Sequence, residues 1–233
     1  MPVHPPRRAR WDSVPLAFAW RYLCHALMIG LALINERRPA PHLPDRVLDL
    51  VPRIDWIAHW NYHLWLAGYL PLSLWLWHRD RGRFLHFLYV GGILSLLRGV
   101  CINLTGFGPV EGADTNAGST WAALGHAWWA LVNPISALGS DAPHIHLTKD
   151  LFFSGHTATT FLLWLYCRGQ RGLAEVAFGA HLFTVFVVFA ARLHYTVDVI
   201  GAWAVTACLF GIAMRRWPPV PTGAEVRDDR TGF

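Results

Sequence analysis

The sequence predicts an all-α integral membrane protein with six transmembrane helices. Of its 233 residues, 54% are hydrophobic and only 15% are charged, whereas a soluble domain carries about 25% charged residues. Six apolar segments approach the roughly 20 residues that a helix needs to cross a bilayer. Aromatic residues near the ends of these segments fit the membrane–water interface, among them Trp56, Trp60, Trp75, Trp77 and Trp217.

The six spans form one predicted membrane domain, 14–214, between a short N-terminal tail, 1–13, and a C-terminal tail, 215–233. The fourth span is short, about 22 Å at 1.5 Å per residue. Its start is therefore expected below the membrane surface, where a lipid headgroup can reach it. In chain order the predicted spans are 14–34, 57–77, 84–104, 152–167, 174–192 and 194–214.

The distribution of arginine and lysine predicts the orientation, because these residues accumulate on the cytoplasmic side. Both tails and the second and fourth connections carry arginines, whereas segment 105–150 has Lys149 as its only Lys or Arg. Both termini are thus expected in the cytoplasm and 105–150 outside. The first outer connection departs from this pattern, and neighbouring acidic residues offset its arginines only partly: Arg37, Arg38, Arg46 and Arg53.

The net positive charge is explained by anchoring to acidic headgroups at the inner face, and nothing suggests a nucleic-acid partner.

Within 105–150, the stretch 119–139 is half hydrophobic. Gly125, Asn133 and Pro134 argue against a full span there, so an interfacial or re-entrant helix over the outer face is expected. Its Trp121, Trp128 and Trp129 are expected to be interface anchors, with a cation–π cradle for a quaternary ammonium as the alternative.

Four ionisable residues lie at the outer ends of three predicted spans, where burial in hydrocarbon makes such residues functional candidates. They are Arg98 in the third span, His156 in the fourth, and His194 with Asp198 in the sixth. Because three spans deliver them to the same side of the membrane, we expect them to form one site.

The stretch "FSGHT", 153–157, predicts a capped helix start. Ser154 is a good N-cap and Gly155 permits close backbone approach. The unpaired N–H groups and the positive dipole end behind them suit a phosphate, and His156 in the first turn can transfer a proton. The structural alternative is a capped helix with an incidental histidine.

In "HYTVDV", 194–199, His194 and Asp198 are four residues apart and are predicted to share a helix face. The carboxylate then fixes one imidazole nitrogen and leaves the other free to attack. A simple ion pair is the alternative. Arg98 can grip phosphate with its planar donors, or alternatively extend to the outer interface.

Two imidazoles, a carboxylate and a guanidinium together predict phosphoryl transfer through a phosphohistidine. No P-loop or kinase signature occurs, so a nucleotide donor is not expected, and no cofactor is needed. A metal is not expected either, since Asp141, His144 and His146 look incidental. The cysteines have neither disulfide nor metal-ligand spacing: Cys24, Cys101, Cys167 and Cys208.

On these motifs the chain resembles the sphingomyelin synthase family, within the superfamily of integral-membrane type 2 phosphatidic acid phosphatases. Four stretches match the signatures of that family, in order, between about residues 41 and 205. They are "PHLPDRVLD" (41–49), "LSLLRGVCINLTGFGP" (94–109), "KDLFFSGHTATTFLLWLY" (149–166) and "HYTVDVIGAW" (194–203).

The resemblance implies transfer of a phosphocholine or phosphoethanolamine headgroup from a glycerophospholipid to a lipid alcohol, which is ceramide in that family and could be diacylglycerol here. It makes His194 the nucleophile, Asp198 its orienting partner and His156 the general acid–base. The residues expected to contact substrate are Arg98, Lys149, Asp150, Ser154, Gly155 and Tyr195.

Three positions depart from the family pattern. Lys149 replaces the glycine of a Cys-Gly-Asp signature, so it is expected to bind phosphate or repel choline. Residues 61–63 lack a glutamate that the second span of the family often carries. Val188 occupies the position of a phosphatase arginine, six before the histidine, while Arg192 lies two before it, which favours the synthase branch.

Two other functions remain open on the sequence. Water could intercept the same intermediate, which would make the protein a lipid phosphatase or a phospholipase C-type hydrolase. A non-catalytic lipid-binding or lipid-translocating protein would need no His–Asp pair. A homo-oligomer is possible, and the sequence does not determine it.

Overall fold

The computed structural model describes residues 13–133 and 147–219, and within these ranges it is helical, without strands. The all-α prediction is confirmed for this part of the chain. Its helices are α1 (Val14–Glu36), α2 (Arg46–Leu50), α3 (Asp55–Arg79), α4 (Arg81–Thr105), α5 (Trp121–Val132), α6 (Gly155–Cys167), α7 (Leu173–Ala190) and α8 (Thr196–Arg216).

A helix coincides with each of the six predicted spans, and four of these helices are long and apolar enough to cross a membrane. The four are α1, α4, α7 and α8. Helix α3 has 25 residues but is less apolar. Helix α6 has 13 residues, about 20 Å at 1.5 Å per residue, so it falls short of a bilayer core of about 30 Å.

Local signals explain where several helices begin and end. Asp80 both ends α3 and caps α4, because its carboxylate accepts the N–H of Arg83 at 2.9 Å. Gly106 ends α4 in the left-handed conformation, with φ of +64°, which glycine adopts without steric cost. Thr120 caps α5 by accepting the N–H of Ala123 at 3.2 Å.

Helix α1 packs along α4, and small residues permit the close approach. A Cβ atom on Gly99 would lie 2.8 Å from Leu31, and one on Gly92 would lie 2.4 Å from the indole nitrogen of Trp20. Glycine at such positions lets helix backbones pack tightly in a membrane. Helix α1 is thereby held against the helix that carries Arg98.

Helix α6 lies among α4, α7 and α8, and the main hydrophobic core forms around it. Tyr166, Leu162 and Leu163 of α6 are almost fully buried. Helix α3 packs against α7 and α4 and also contacts α6. The short α6 is thus surrounded by longer helices, which leaves its N-terminus inside the protein.

Helix α5 occupies the described part of the half-hydrophobic stretch 119–139 and packs on α1. The indole N–H of Trp128 donates to the carbonyl of Ala26 at 2.8 Å, while Trp121 and Trp129 are each 62% exposed. Trp121 lies under the guanidinium of Arg37 at 4.3 Å. The possible metal ligands Asp141, His144 and His146 lie outside the described residues.

Candidate active site

His194 and Asp198 form a buried pair at the start of α8. The Nδ1 atom of His194 lies 3.2 Å from Oδ2 of Asp198, and the two side chains are 3% and 0% exposed. The predicted shared helix face needs correction, because α8 begins at Thr196 and His194 precedes it. The pair forms because Asp198, in the first turn, reaches back past the helix start.

Asp198 also holds the backbone on both sides of the site. Its Oδ2 accepts the N–H of Tyr195 at 3.0 Å, and its Oδ1 accepts the N–H of Phe152 at 3.0 Å. The N–H of Ser154 donates to the backbone carbonyl of Asp198 at 3.1 Å. One residue therefore joins the turn that carries His194 to the turn that precedes His156.

The start of α6 agrees with the cap predicted from the sequence. Ser154 is fully buried, and its hydroxyl accepts the N–H of Thr157 at 3.3 Å. His156 lies in the first turn of the helix, which begins at Gly155. Arg98 and Asp198, the partner of His194, both contact the turn directly before His156, so these residues lie around one turn.

Both turns contain a residue with positive φ that is not glycine. Phe152 has φ of +43° and Arg192 has φ of +56°. Such conformations cost of order 1–3 kcal/mol and persist where the surrounding structure determines them. The hydrogen bond from Phe152 to Asp198 and that from the Arg192 side chain to the Val51 carbonyl, at 2.9 Å, supply that support.

Arg98 is held mainly by the protein. Its Nε donates to the carbonyl of Phe153 at 2.7 Å, its Nη2 donates to the carbonyl and to Oδ2 of Asp150, and its Nη1 contacts the sulfur of Met28 at 3.3 Å. Of the five N–H donors of an arginine, one on Nη1 has no such contact among the described residues. Arg98 therefore braces the 150–155 turn and has one N–H donor without a hydrogen-bond partner among the described residues.

Gly155 explains how Arg98 reaches this turn. A Cβ atom at Gly155 would lie 3.1 Å from Nε and 3.2 Å from Cζ of Arg98. The guanidinium thus packs directly on the glycine backbone. The close approach that the sequence predicted at this glycine is made by a side chain of the protein.

Lys149 lies apart from these groups, with a fully buried side chain. Its ammonium donates to Asp114 at 2.5 Å and to the carbonyl of Arg38 at 2.8 Å. Its N–H donates to the buried carboxylate of Glu36 at 2.6 Å, and its carbonyl accepts the side-chain N–H of Asn35 at 2.8 Å. These contacts account for the lysine as an anchor between the end of α1 and segment 147–150.

Tyr195 uses its hydroxyl within the protein as well. The hydroxyl accepts the N–H of Leu43 at 3.1 Å and donates to the carbonyl of Pro109 at 3.0 Å. The side chain is buried and packs with Leu48 and Leu151. Tyr195 thus joins the segments around Leu43 and Pro109 beside His194.

Two features of the site carry no motif in the sequence. The ring of Trp65, on α3, lies 5.4 Å from the ring of His156, edge to face. Buried His181, on α7, accepts the indole N–H of Trp203 at Nε2, 2.9 Å away, and its Nδ1 lies 3.0 Å from the hydroxyl of Thr160.

The contacts of His181 define a chain of hydrogen bonds. Because Nε2 accepts, Nδ1 carries the proton and donates to Thr160, whose hydroxyl donates to the carbonyl of His156 at 2.9 Å. In the sequence, His181 in the middle of an apolar span was the signal that could have indicated these hydrogen bonds. It links α6, α7 and α8 behind the candidate acid–base residue.

Taken together, the site offers a histidine whose Nδ1 is engaged by a buried carboxylate, a second histidine and a guanidinium. The carboxylate favours the His194 tautomer with its proton on Nδ1 and its lone pair on Nε2. Such a group can attack an electrophile while the second imidazole transfers a proton. No cluster of His, Cys, Asp or Glu that could hold a metal occurs among residues 13–133 and 147–219.

The chain is similar to known proteins over most of its length. Residues 149–215 match the family model described as PAP2 superfamily C-terminal. The chain is 30% identical to human sphingomyelin synthase-related protein 1 over 198 residues, which covers 77% of this chain and 46% of that protein. It is 28% identical to rat phosphatidylcholine:ceramide cholinephosphotransferase 1 over 237 residues, which covers 90% and 54%.

A third relative is phosphatidylcholine:ceramide cholinephosphotransferase 2 of Macaca fascicularis, 28% identical over 223 residues, with 85% of this chain and 58% of that protein covered. The chain spans about half the length of these relatives. The helical fold and the match over the two histidine segments define a membrane protein of the PAP2 superfamily. Within it, the chain belongs to the sphingomyelin synthase family, and the predicted resemblance is confirmed.

Proposed function

We propose that this protein transfers a phosphocholine or phosphoethanolamine headgroup from a glycerophospholipid to a lipid alcohol through a phosphohistidine on His194. The observation that carries the proposal is the buried His194–Asp198 pair, with Nδ1 3.2 Å from the carboxylate. It supports an imidazole whose Nε2 is free to attack. The names of two relatives, phosphatidylcholine:ceramide cholinephosphotransferases 1 and 2, support the substrate class.

In the first step, Nε2 of His194 attacks the phosphorus and the bond from phosphorus to the diacylglycerol oxygen breaks. His156, in its protonated form, gives a proton to that oxygen, and diacylglycerol leaves. Asp198 stabilises the positive charge on His194, and the remaining N–H of Arg98 is available to a phosphoryl oxygen.

In the second step, neutral His156 takes the proton of the acceptor hydroxyl. The acceptor oxygen attacks the phosphorus, and the bond to His194 breaks. The enzyme returns to its starting state, with His156 protonated again. The proposed acceptor is ceramide or diacylglycerol.

The proposed membrane arrangement has six spans, formed by α1, α3, α4, α6, α7 and α8, within a catalytic domain 14–214. Helix α5 lies at the outer interface. Tails 1–13 and 215–233 are in the cytoplasm and the site faces the outer side. The short α6 starts inside the bundle, which supports a site below the outer surface.

The test is a mass-spectrometric lipid assay on purified protein in vesicles of mixed phosphatidylcholine and phosphatidylethanolamine, with and without ceramide. A ceramide-dependent phospho-ceramide product supports the transferase and identifies its headgroup. His194→Ala should abolish headgroup release, whereas His59→Ala, an exposed histidine of α3, should retain it.

Two results would contradict the proposal. Diacylglycerol with free phosphocholine or phosphoethanolamine, formed equally without ceramide, would make the protein a hydrolase with the same site. Full turnover by a well-folded His194→Ala protein would exclude the phosphohistidine.

A further inference from the structure

The segment 41–48 contacts the turn that carries His194, although it supplies no group to the proposed reaction. Asp45 begins α2, and its Oδ1 accepts the N–H groups of Val47 at 3.0 Å and Leu48 at 3.3 Å. This is an ordinary N-cap. It accounts for α2 but not for the second set of contacts that the same carboxylate makes.

Asp45 also caps α8 from outside that helix. Its Oδ2 accepts the N–H of Thr196 at 2.5 Å, and its Oδ1 accepts the hydroxyl of Thr196 at 2.8 Å. Thr196 is the first residue of α8, so its N–H has no partner within the helix. One carboxylate thus satisfies the ends of two helices that are 151 residues apart in the chain.

The charge of Asp45 suits this position. Partial burial of the carboxyl group opposes ionisation, but the hydrogen bonds that Thr196, Leu48 and Val47 donate outweigh it and lower the pKa of Asp45. The positive dipole ends of both helices add to the attraction for a negative charge. The carboxylate is therefore ionised whenever the protein is at neutral pH.

A second contact fastens the same turn one residue earlier. The hydroxyl of Tyr195 accepts the N–H of Leu43 and donates to Pro109. Leu48, Leu151 and Tyr195 share a small buried cluster. Segment 41–48 thus contacts both residues that follow His194, in addition to the contacts that Asp198 makes.

We propose that Asp45 is a positioning residue for the reaction, which holds the turn 194–196 so that the His194 imidazole keeps its orientation. The inference rests on the proposed function, because it assigns a role to the first family signature in the same site. Among the described residues, the carboxylate of Asp45 bonds to Val47, Leu48 and Thr196 and not to His156 or His194. It acts through Thr196 and the backbone that joins Thr196 to His194.

The test compares Asp45→Asn with Asp49→Asn, an exposed carboxylate of the same short helix. An amide at position 45 keeps one acceptor oxygen but turns an N–H₂ group toward the N–H or hydroxyl of Thr196. Asp45→Asn should lower kcat for headgroup transfer on the order of 10²-fold, the cost of a displacement of about 1 Å. KM should stay nearly constant, and Asp49→Asn should behave like the wild type.

Variants at Thr196 separate positioning from general stability. Thr196→Val removes the hydroxyl and should lower kcat. Thr196→Ser keeps the hydroxyl and should have a kcat close to that of the wild type. When combined with Asp45→Asn, Thr196→Val should add little, because both remove the same contact. Additive losses, or unchanged kcat in Asp45→Asn, would overturn the proposal.

Hydrogen exchange measured by mass spectrometry provides a readout that needs no turnover. Asp45→Asn, but not Asp49→Asn, should speed amide exchange in peptides covering 190–198, without a matching change across α4. Unchanged exchange in 190–198 would overturn the inference whatever the activity. If the wild type transfers no headgroup, the proposed function fails, and the exchange result alone decides whether Asp45 holds the turn.

Discussion

Replacement of Asp198 by asparagine tests the chemistry of the site most directly. The carboxylate accepts from His194 Nδ1, Tyr195 N–H and Phe152 N–H, and it is fully buried. Asparagine has one acceptor oxygen in place of two. If that oxygen stays with Phe152, the amide N–H₂ faces both Nδ1 of His194 and the N–H of Tyr195.

Two consequences follow from this exchange. His194 must accept at Nδ1, so its proton moves to Nε2 and the attacking lone pair is lost. The N–H of Tyr195 is left buried without an acceptor, which costs about 1–3 kcal/mol of folding free energy. The tautomer effect should lower kcat on the order of 10⁴-fold, by analogy with the serine-protease aspartate, or about 5.5 kcal/mol of activation free energy.

The assay is the lipid mass-spectrometric measurement, combined with thermal unfolding in detergent. Asp55→Asn is the matched control, since its carboxylate is 91% exposed and lies in the first turn of α3. The control should retain wild-type turnover. A folded Asp198→Asn protein with turnover within about tenfold of the wild type would remove Asp198 from the mechanism.

Three further predictions concern the surroundings of the site. Gly155→Ala should destabilise the protein by about 1 kcal/mol by pushing the guanidinium of Arg98 from its place, and a melting temperature equal to that of the wild type would contradict this. Lys149→Met should lower the free energy of unfolding by about 3 kcal/mol, because it leaves the carboxylate of Asp114 unpaired. Any remaining turnover should keep its headgroup preference. A changed ratio of choline to ethanolamine product would argue against the anchoring role of Lys149. The pKa of Asp45 is lowered in the folded state. The carboxylate therefore stabilises the fold fully above the unfolded-state pKa of about 3.9, and this stabilisation is lost as the pH falls through the folded-state pKa. The melting-temperature difference between the wild type and Asp45→Asn should accordingly shrink only in that acid range.

Composition and local pattern were sufficient for much of the fold. Each of the six predicted spans coincides with a helix, and Ser154 caps α6 as expected. These features depend on residues close together in the chain, such as an apolar run or a cap before it. The start of α8 was predicted two residues early, because no local signal marks that His194 and Tyr195 precede the helix.

Residue types and their positions near the ends of apolar spans also indicated the candidate site. Charged residues in apolar spans are few, so their position near three span ends is informative in the sequence alone. In the tertiary structure, Arg98 and Asp198, the partner of His194, both contact the turn directly before His156. Their proposed roles in the reaction remain predictions that the variants above can test.

What each side chain contacts was decided only by the tertiary structure. Arg98 and Lys149 both looked available for phosphate, yet Arg98 gives most of its donors to segment 150–153 and Lys149 gives its ammonium to Asp114. The sequence determined that the protein is a helical membrane protein and that polar groups lie near the ends of its apolar spans. The partners of Arg98 and Lys149 lie tens of residues away in the chain. Only the packing of the helices brings them together, so a pattern along the sequence carries no signal for them.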